Sequence, residues 1–322
     1  MSVRIIIRAP SELCIYRQDL QKVTYSLIRE VNNTVTEKRM LVTLDLREVT
    51  LITAAASVLL FATVNTCQLM NKNPKQVICI FPKEQNNSLG YRYIVKTGLA
   101  RALHSGEVSK LNELVSQEAF FQSSNNPFQH AITTSVMLAE KAEFDPVQYE
   151  LLSTAIGEAM LNVHHHAYND PLSSIEKPQI YNSKRLLVGV MGRRWWQCAW
   201  YDNLKDEWVF IICDFGIGIP HSLMESFHKQ NPMILIKNQE AMLKALSVGG
   251  SRFNEGGRGN GSEDMKRAVG RFCKDTDNLL IYSGGVKYQY SQGMEKPLVE
   301  NIATFFGGTL IEWTLKPKLG EE

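Results

Sequence analysis

Paired cysteines are missing from this chain. Its six cysteines in 322 residues (Cys14, Cys67, Cys79, Cys198, Cys213, Cys273) are scattered and contain no CxxC. In a chain this long they read as buried thiols of a reducing cytosol, not as a disulfide framework or a zinc site. Charge of one sign is also missing. With 35 Lys and Arg against 33 Asp and Glu, the net charge is +2, which excludes a global basic surface for nucleic acid or an anionic membrane. There is no internal repeat, no low-complexity tract and no GxxxxGK[ST] phosphate loop. The opening MSVRIIIRAP has too short an apolar run for a secretory signal. One charge-free run, Val49–Asn71, is long enough to cross a bilayer, but eight of its residues are Thr, Ser, Asn or Gln. It is expected to be a buried strand end followed by a core helix. The frame is a cytoplasmic, two-domain protein with no membrane segment, since about 100–200 residues make one domain.

Strand signals lie at 2–8, 40–46 and 76–81, with helical spacing at 17–33 and 54–70 between them. Crossovers of that length predict an α/β domain over 1–121 with parallel neighbours. Residues 92–118 are again helical, broken near Gly98 and Ser105-Gly106. The polar stretch 122–130, which begins QSSNNPF at its core, is expected to be a linker. A second α/β domain follows over 131–322. It has helices at 131–142 and 147–168, an irregular stretch at 169–184, and a strand pair joined by Asn203-Leu204-Lys205-Asp206. Glycine-rich segments at 216–218, 249–261 and 284–285 come next, with a last strand ending the chain.

Three pieces of the second half carry chemistry. On the helix 147–168, Leu152, Ile156, Ala159 and Val163 form a buried stripe, while Thr154, Glu158, Asn162 and His166 recur every four residues along another edge. A carboxylate can take a proton from an attacking hydroxyl, and an amide oxygen one turn away can hold magnesium. A plain solvated helix face fits the same spacing. Asp214-Phe215-Gly216-Ile217-Gly218 follows an apolar strand; an Asp there needs a donor partner, and the glycines allow close approach to a flat heterocycle with an exocyclic amine. A capping turn is the alternative. Gly256-Gly257-Arg258-Gly259-Asn260-Gly261 leads into a helical pattern, an arrangement that offers backbone N–H groups to phosphates or serves as a flexible linker. His164-His165-His166 point about 100° apart on a helix and cannot converge on one ion.

The order EAMLNVHHHAY, DFGIGIP, GGRGNG, GGTLIEW resembles the N, G1 and G2 boxes and terminal strand of the GHKL (Bergerat-fold) ATPases over residues 125–318. It is most similar to the anti-sigma-factor serine kinases. The resemblance implies an α/β sandwich, a mixed sheet with helices on one face, that binds ATP and Mg2+. By it Glu158 is the general base, Asn162 the magnesium ligand, and His166 continues the N box. Asp214, with Thr309 helping through water, meets the adenine amine. Gly216 and Gly218 shape the base pocket, and Gly257, Gly259, Gly261 and Asn260 meet phosphates. Arg252 and Arg258 are candidates for the γ-phosphate, and residues 220–256 stand where the family has a mobile lid. Phe215 departs from the family's small polar residue, and no histidine-kinase phosphoacceptor motif lies upstream. The N-terminal half resembles, more loosely, a STAS domain through LVTLDLREVTLITAAAS and TGLARAL. Ala54 and Ala55 stand where that family has its acceptor serine, so this half is expected to be a docking platform.

The function expected from these resemblances is a serine/threonine protein kinase or slow ATPase. The alternative is a nucleotide-gated interaction protein with little turnover. ATP or ADP and a protein partner of the STAS-domain or sigma-factor-like kind are the expected ligands, and a homodimer is compatible with the reading. Arg193-Arg194-Trp195-Trp196 offers a basic-aromatic cluster for single-stranded nucleic acid, but it lies in a predicted strand with alternate residues facing the core, so no nucleic acid is expected.

Overall fold

Three isoleucines between two arginines make Arg4–Arg8 (β1) a strand, and it lies parallel to Leu41–Asp45 (β3), which lies parallel to Val77–Ile80 (β5). The computed structural model describes residues 3–141, 145–168, 186–202, 207–231, 235–247, 261–269, 278–291, 293–302 and 307–316. By contact the chain divides into two units, Met1–Ser124 with Trp196–Cys198, and Asn125–Trp195 with Ala199–Glu322. The architecture is mixed α/β, with both parallel and antiparallel sheets.

In the first unit, Gln18–Thr36 (α1) and Ala54–Met70 (α2) supply the crossovers that parallel strands require. The short strands Glu12–Leu13 (β2) and Leu51–Ile52 (β4) pair beside them. Every residue of α2 from Ala54 to Leu69 is buried, so the charge-free run is a helix apolar all round inside a protein core. Several of its polar side chains donate to nearby carbonyls. Thr63 Oγ1 donates to Leu59 O at 2.8 Å, Asn65 Nδ2 to Ser105 O at 2.7 Å, and Gln68 Nε2 to Val77 O and Leu103 O at 2.9 and 3.1 Å. Among the described residues, no helix is long and apolar enough to cross a membrane. Ser88–Tyr91 (α3), a π-turn at Arg92–Lys96, Leu99–His104 (α4) and Val108–Ser116 (α5) follow. The break before α4 falls at Gly98, whose φ of +86° disfavours any side chain.

Residues 122–130, expected as a linker, are instead a strand, Phe121–Ser124 (β6), and the start of the helix Pro127–Lys141 (α6). Gln122 and Ser123 are buried, so their polar side chains do not report solvent exposure. The long helix of the second unit is α-helical only over Pro146–Asn162 (α7) and widens into a π-turn at Val163–Ala167. A short helix (186–191, α8) precedes Trp195–Asp202 (β7) and Glu207–Asp214 (β8). Then come Ile219–Gln230 (α9), Asn238–Ala245 (α10), Gly261–Arg267 (α11), Asn278–Ser283 (β9), Val286–Ser291 (β10), Leu298–Asn301 (β11) and Thr309–Leu315 (β12). The irregular stretch 169–184 and the hairpin loop 203–206 lie outside the described residues.

These strands run in the order β11-β10-β9-β12-β8-β7, and β12 is antiparallel to both β8 and β9. Alternate side chains of one sheet face (Trp208, Phe210 and Ile212; Ile311, Trp313 and Leu315) share a core with Leu152, Ile156 and Ala159 of α7 and with Met265 of α11. Trp313 Nε1 satisfies its donor on Met265 O at 3.0 Å, fixing α11 to the sheet. Among its described residues the expected lid, 220–256, contains most of α9 and all of α10, and Met242 of α10 is fully buried in that core. Its amphipathic stretch packs because it has an apolar face to bury; Asn238 Nδ2 adds a bond to Gly284 O at 2.6 Å. The first unit's core offers a direct test. Phe61 is fully buried, 6.3 Å edge-on from Phe121. Phe61→Ala is expected to destabilise that unit by about 3–5 kcal/mol, read as a lower urea midpoint.

Candidate functional site

Asp145 starts α7 by accepting from the Val147 and Gln148 N–H groups at 2.9 and 3.3 Å, with Pro146 in the first turn where no N–H is needed. Leu152, Ile156, Ala159 and Val163 are buried as the spacing predicts. Glu158, Asn162 and His166 are half-buried at the flank of that stripe, and Thr154 is exposed. The π-turn begins directly after Asn162 and carries all three histidines; such widened turns recur at functional sites. The consecutive rings meet edge-on at 5.2 and 6.3 Å. Arg193 Nη1 donates to His164 O. Burial, then Arg193 and His165, hold the His164 imidazole below its usual range.

Glu158 faces α11, which packs on α7. Burial, and then the Asp264 carboxylate, raise the Glu158 carboxyl above the ordinary range, so it holds a proton more readily than an exposed glutamate. Asp264 itself is paired with Arg267 at 3.1 Å.

Asp214 ends β8 with only 5% of its surface exposed. Its Oδ1 accepts from Gly216 N–H at 2.7 Å, two residues on, so the carboxylate shapes its own turn. That turn is bonded to the end of the π-turn. Ile217 N–H donates to Ala167 O at 2.7 Å, and Phe215 N–H donates to the Tyr168 hydroxyl at 3.1 Å. Tyr168 passes its own hydrogen to Arg194 O at 2.6 Å. Burial and the neighbouring Asp214 push the Tyr168 phenol well above its usual range. Gly216 is required by approach, because a Cβ there would stand 2.1 Å from Ala167 O. Gly218 is required by conformation, with φ +84° at the N-cap of α9.

Thr309 stands opposite Asp214 across β8 and β12, and Ser283 stands opposite Thr309 across β12 and β9. The three form one polar row at the strand ends, all buried. Ser283 Oγ reaches Gly308 O at 2.9 Å, Ile219 N at 2.9 Å and Thr309 Oγ1 at 3.0 Å. Sequence reasoning missed Ser283. Its one signal was a hydroxyl at the end of an apolar run, Leu279-Leu280-Ile281-Tyr282, just before Gly284-Gly285.

The structure thus brings Asp214, Gly216, Gly218 and Thr309 together and ties their loop to the helix segment that bears Glu158, Asn162 and His166. Gly261 opens α11, so a helix does follow the glycine-rich run. Gly257, Arg258, Gly259 and Asn260, with Arg252, lie outside the described residues. Among the described residues, no group of three or more His, Cys, Asp or Glu could hold a metal ion. No protein-family model matches the chain, and no curated protein matches it. The site stands on its geometry.

Two outcomes test that geometry. Gly216→Ala is expected to destabilise the second unit, because its clash is with backbone that cannot swing away; a lowered thermal midpoint checks it. For Glu158, the raised carboxyl means the folded state binds its proton more tightly than the unfolded chain does. That contribution is complete below the ordinary carboxylate range near pH 4 and is lost as pH rises through the raised value. Glu158→Gln is therefore expected to gain stability relative to wild type between about pH 4 and neutrality. Urea midpoints at both ends of that window measure it.

Proposed function

We propose that the second unit is a GHKL-type nucleotide-binding unit acting as a serine/threonine protein kinase or slow ATPase, with Mg-ATP as its nucleotide. The observation that carries the reading is the bonded seam between the Glu158–Asn162 helix and the Asp214–Gly218 turn. It supports the reading because the turn that carries the buried Asp214 is bonded to Ala167 and Tyr168, at the end of the segment that carries Glu158 and Asn162. The residues present fit the group. Asp214 and Thr309 are buried acceptors for a base amine, Gly216 and Gly218 keep side chains out of the turn, and Asn162 with half-buried Glu158 suits a hydrated magnesium.

In this reading Asn162 holds magnesium, which neutralises phosphate charge. Glu158 takes the proton of a serine or threonine hydroxyl, or of water, as that oxygen bonds the γ-phosphorus and the bond to the β-phosphate oxygen breaks. Burial and the Asp264 carboxylate raise its proton affinity, which strengthens it as a base. Asp214 fixes the base by accepting from its amine. Supporting the wider resemblance are the antiparallel run β9-β12-β8 and the helices α7 and α11 packed on one face of the sheet.

We assign the first unit the role of docking platform for a protein partner, of the STAS-domain or sigma-factor-like kind. Ala54 and Ala55 open α2 and are buried, without a hydroxyl to phosphorylate.

Calorimetry of the full chain with ATP and magnesium tests the proposal, and no heat of association from folded protein sinks it. Asp214→Asn is expected to weaken ATP binding by about 1–3 kcal/mol through loss of a buried charge-assisted bond. Glu158→Ala is expected to abolish phosphate release and transfer while leaving ATP bound. Equal, negligible turnover in both proteins selects the nucleotide-gated alternative.

A further inference from the structure

The Ser283 hydroxyl is used to capacity. A hydroxyl has one hydrogen and two acceptor sites. Gly308 O is a carbonyl and only accepts, so it takes the Ser283 hydrogen at 2.9 Å. Ile219 N–H only donates, and it fills one acceptor site at 2.9 Å. One acceptor site is left for the 3.0 Å contact with Thr309 Oγ1, which closes only if Thr309 donates. The Thr309 hydrogen is therefore committed to Ser283, and toward any other group Thr309 can only accept. Asp214, its neighbour in the row, is a carboxylate and also only accepts.

We infer that Ser283 sets the base selectivity of the nucleotide site, by locking the Thr309 hydroxyl as an acceptor so that the Asp214–Thr309 row takes a purine with an exocyclic amine and rejects one with an exocyclic carbonyl oxygen in that place. The inference rests on the nucleotide-binding reading of the second unit. An acceptor row facing an oxo group leaves buried polar atoms unpaired on both sides, and a site built to hydrogen-bond one group rejects an analogue lacking it by orders of magnitude. Without Ser283 the Thr309 hydroxyl can turn and donate, and the row then tolerates an oxygen. Ser283 is a positioning residue that acts through Thr309.

The test is equilibrium titration of the full chain with ATP and with inosine triphosphate, which carries an oxygen in place of the amine. Wild type is expected to prefer ATP by at least about 100-fold. Ser283→Ala is expected to cut that ratio about tenfold or more, mainly by tightening the inosine nucleotide, and the conservative Ser283→Thr to restore it. Because Ser283→Ala also removes the partner of Ile219 N–H, Thr309→Val provides an independent arm. It is expected to lower the ratio by weakening ATP, while Thr309→Ser preserves it. An unchanged ratio in folded Ser283→Ala, or in Thr309→Val should Ser283→Ala not fold, overturns the role of Ser283 while ATP binding stands. Binding of neither nucleotide to wild type overturns the nucleotide reading and this inference together.

Discussion

The second unit depends on the seam where the last turn beyond α7 meets the turn after β8. Ala167 O and the Tyr168 hydroxyl each accept an amide hydrogen, from Ile217 and Phe215, 50 and 47 positions later in the chain, and Gly216 lets the two backbones touch. A buried hydrogen bond of this kind contributes about 1 kcal/mol net, but an amide left dry costs more. The seam is accordingly hard to open by halves. It makes one rigid object of two segments: a helix whose Glu158 carboxyl is raised by burial and Asp264, and a turn shaped by the Asp214 carboxylate. Widening the helix into a π-turn after Asn162 is what brings Ala167 and Tyr168 to the meeting point with their backbone and hydroxyl engaged.

Much of this was legible in the residues. α2 spans Ala54–Met70 as read, preceded by the short strand Leu51–Ile52 at the start of the charge-free run. The buried stripe of α7 follows from its spacing, and Asp145-Pro146 marks its start by a mechanism of capping. The glycines at 216 and 218 announced a turn of unusual geometry, and both are needed for distinct reasons. The rest was hidden for physical causes. Gln122 and Ser123 look like linker residues because polarity ordinarily means solvent, yet both are buried in a strand. The strands β9, β10 and β11 were overlooked around Gly284-Gly285, although Val286–Ser291 alternates in the manner of a strand with one wet side. Ser283 offers the sequence only a hydroxyl at the end of an apolar run. What gives it meaning is a register across three strands that no local window contains.

The two carboxylates that matter sit in opposite electrostatic settings. Glu158 is half-wet, beside another carboxylate, and pushed toward holding its proton. Asp214 is buried, with the Gly216 N–H of its own turn donating to Oδ1.

The buried amide of Gln68 in α2 has a consequence of its own. Its Nε2 is shared among the carbonyls of Val77 and Leu103, so one side chain joins the end of a helix, the start of a strand and the end of another helix. No single exchange preserves that junction, since an aliphatic replacement strands the carbonyls and a shorter amide fails to reach them. Over evolutionary time this position is therefore free to drift only in step with its neighbours, and descendants of the chain should carry either the glutamine or a jointly rebuilt corner.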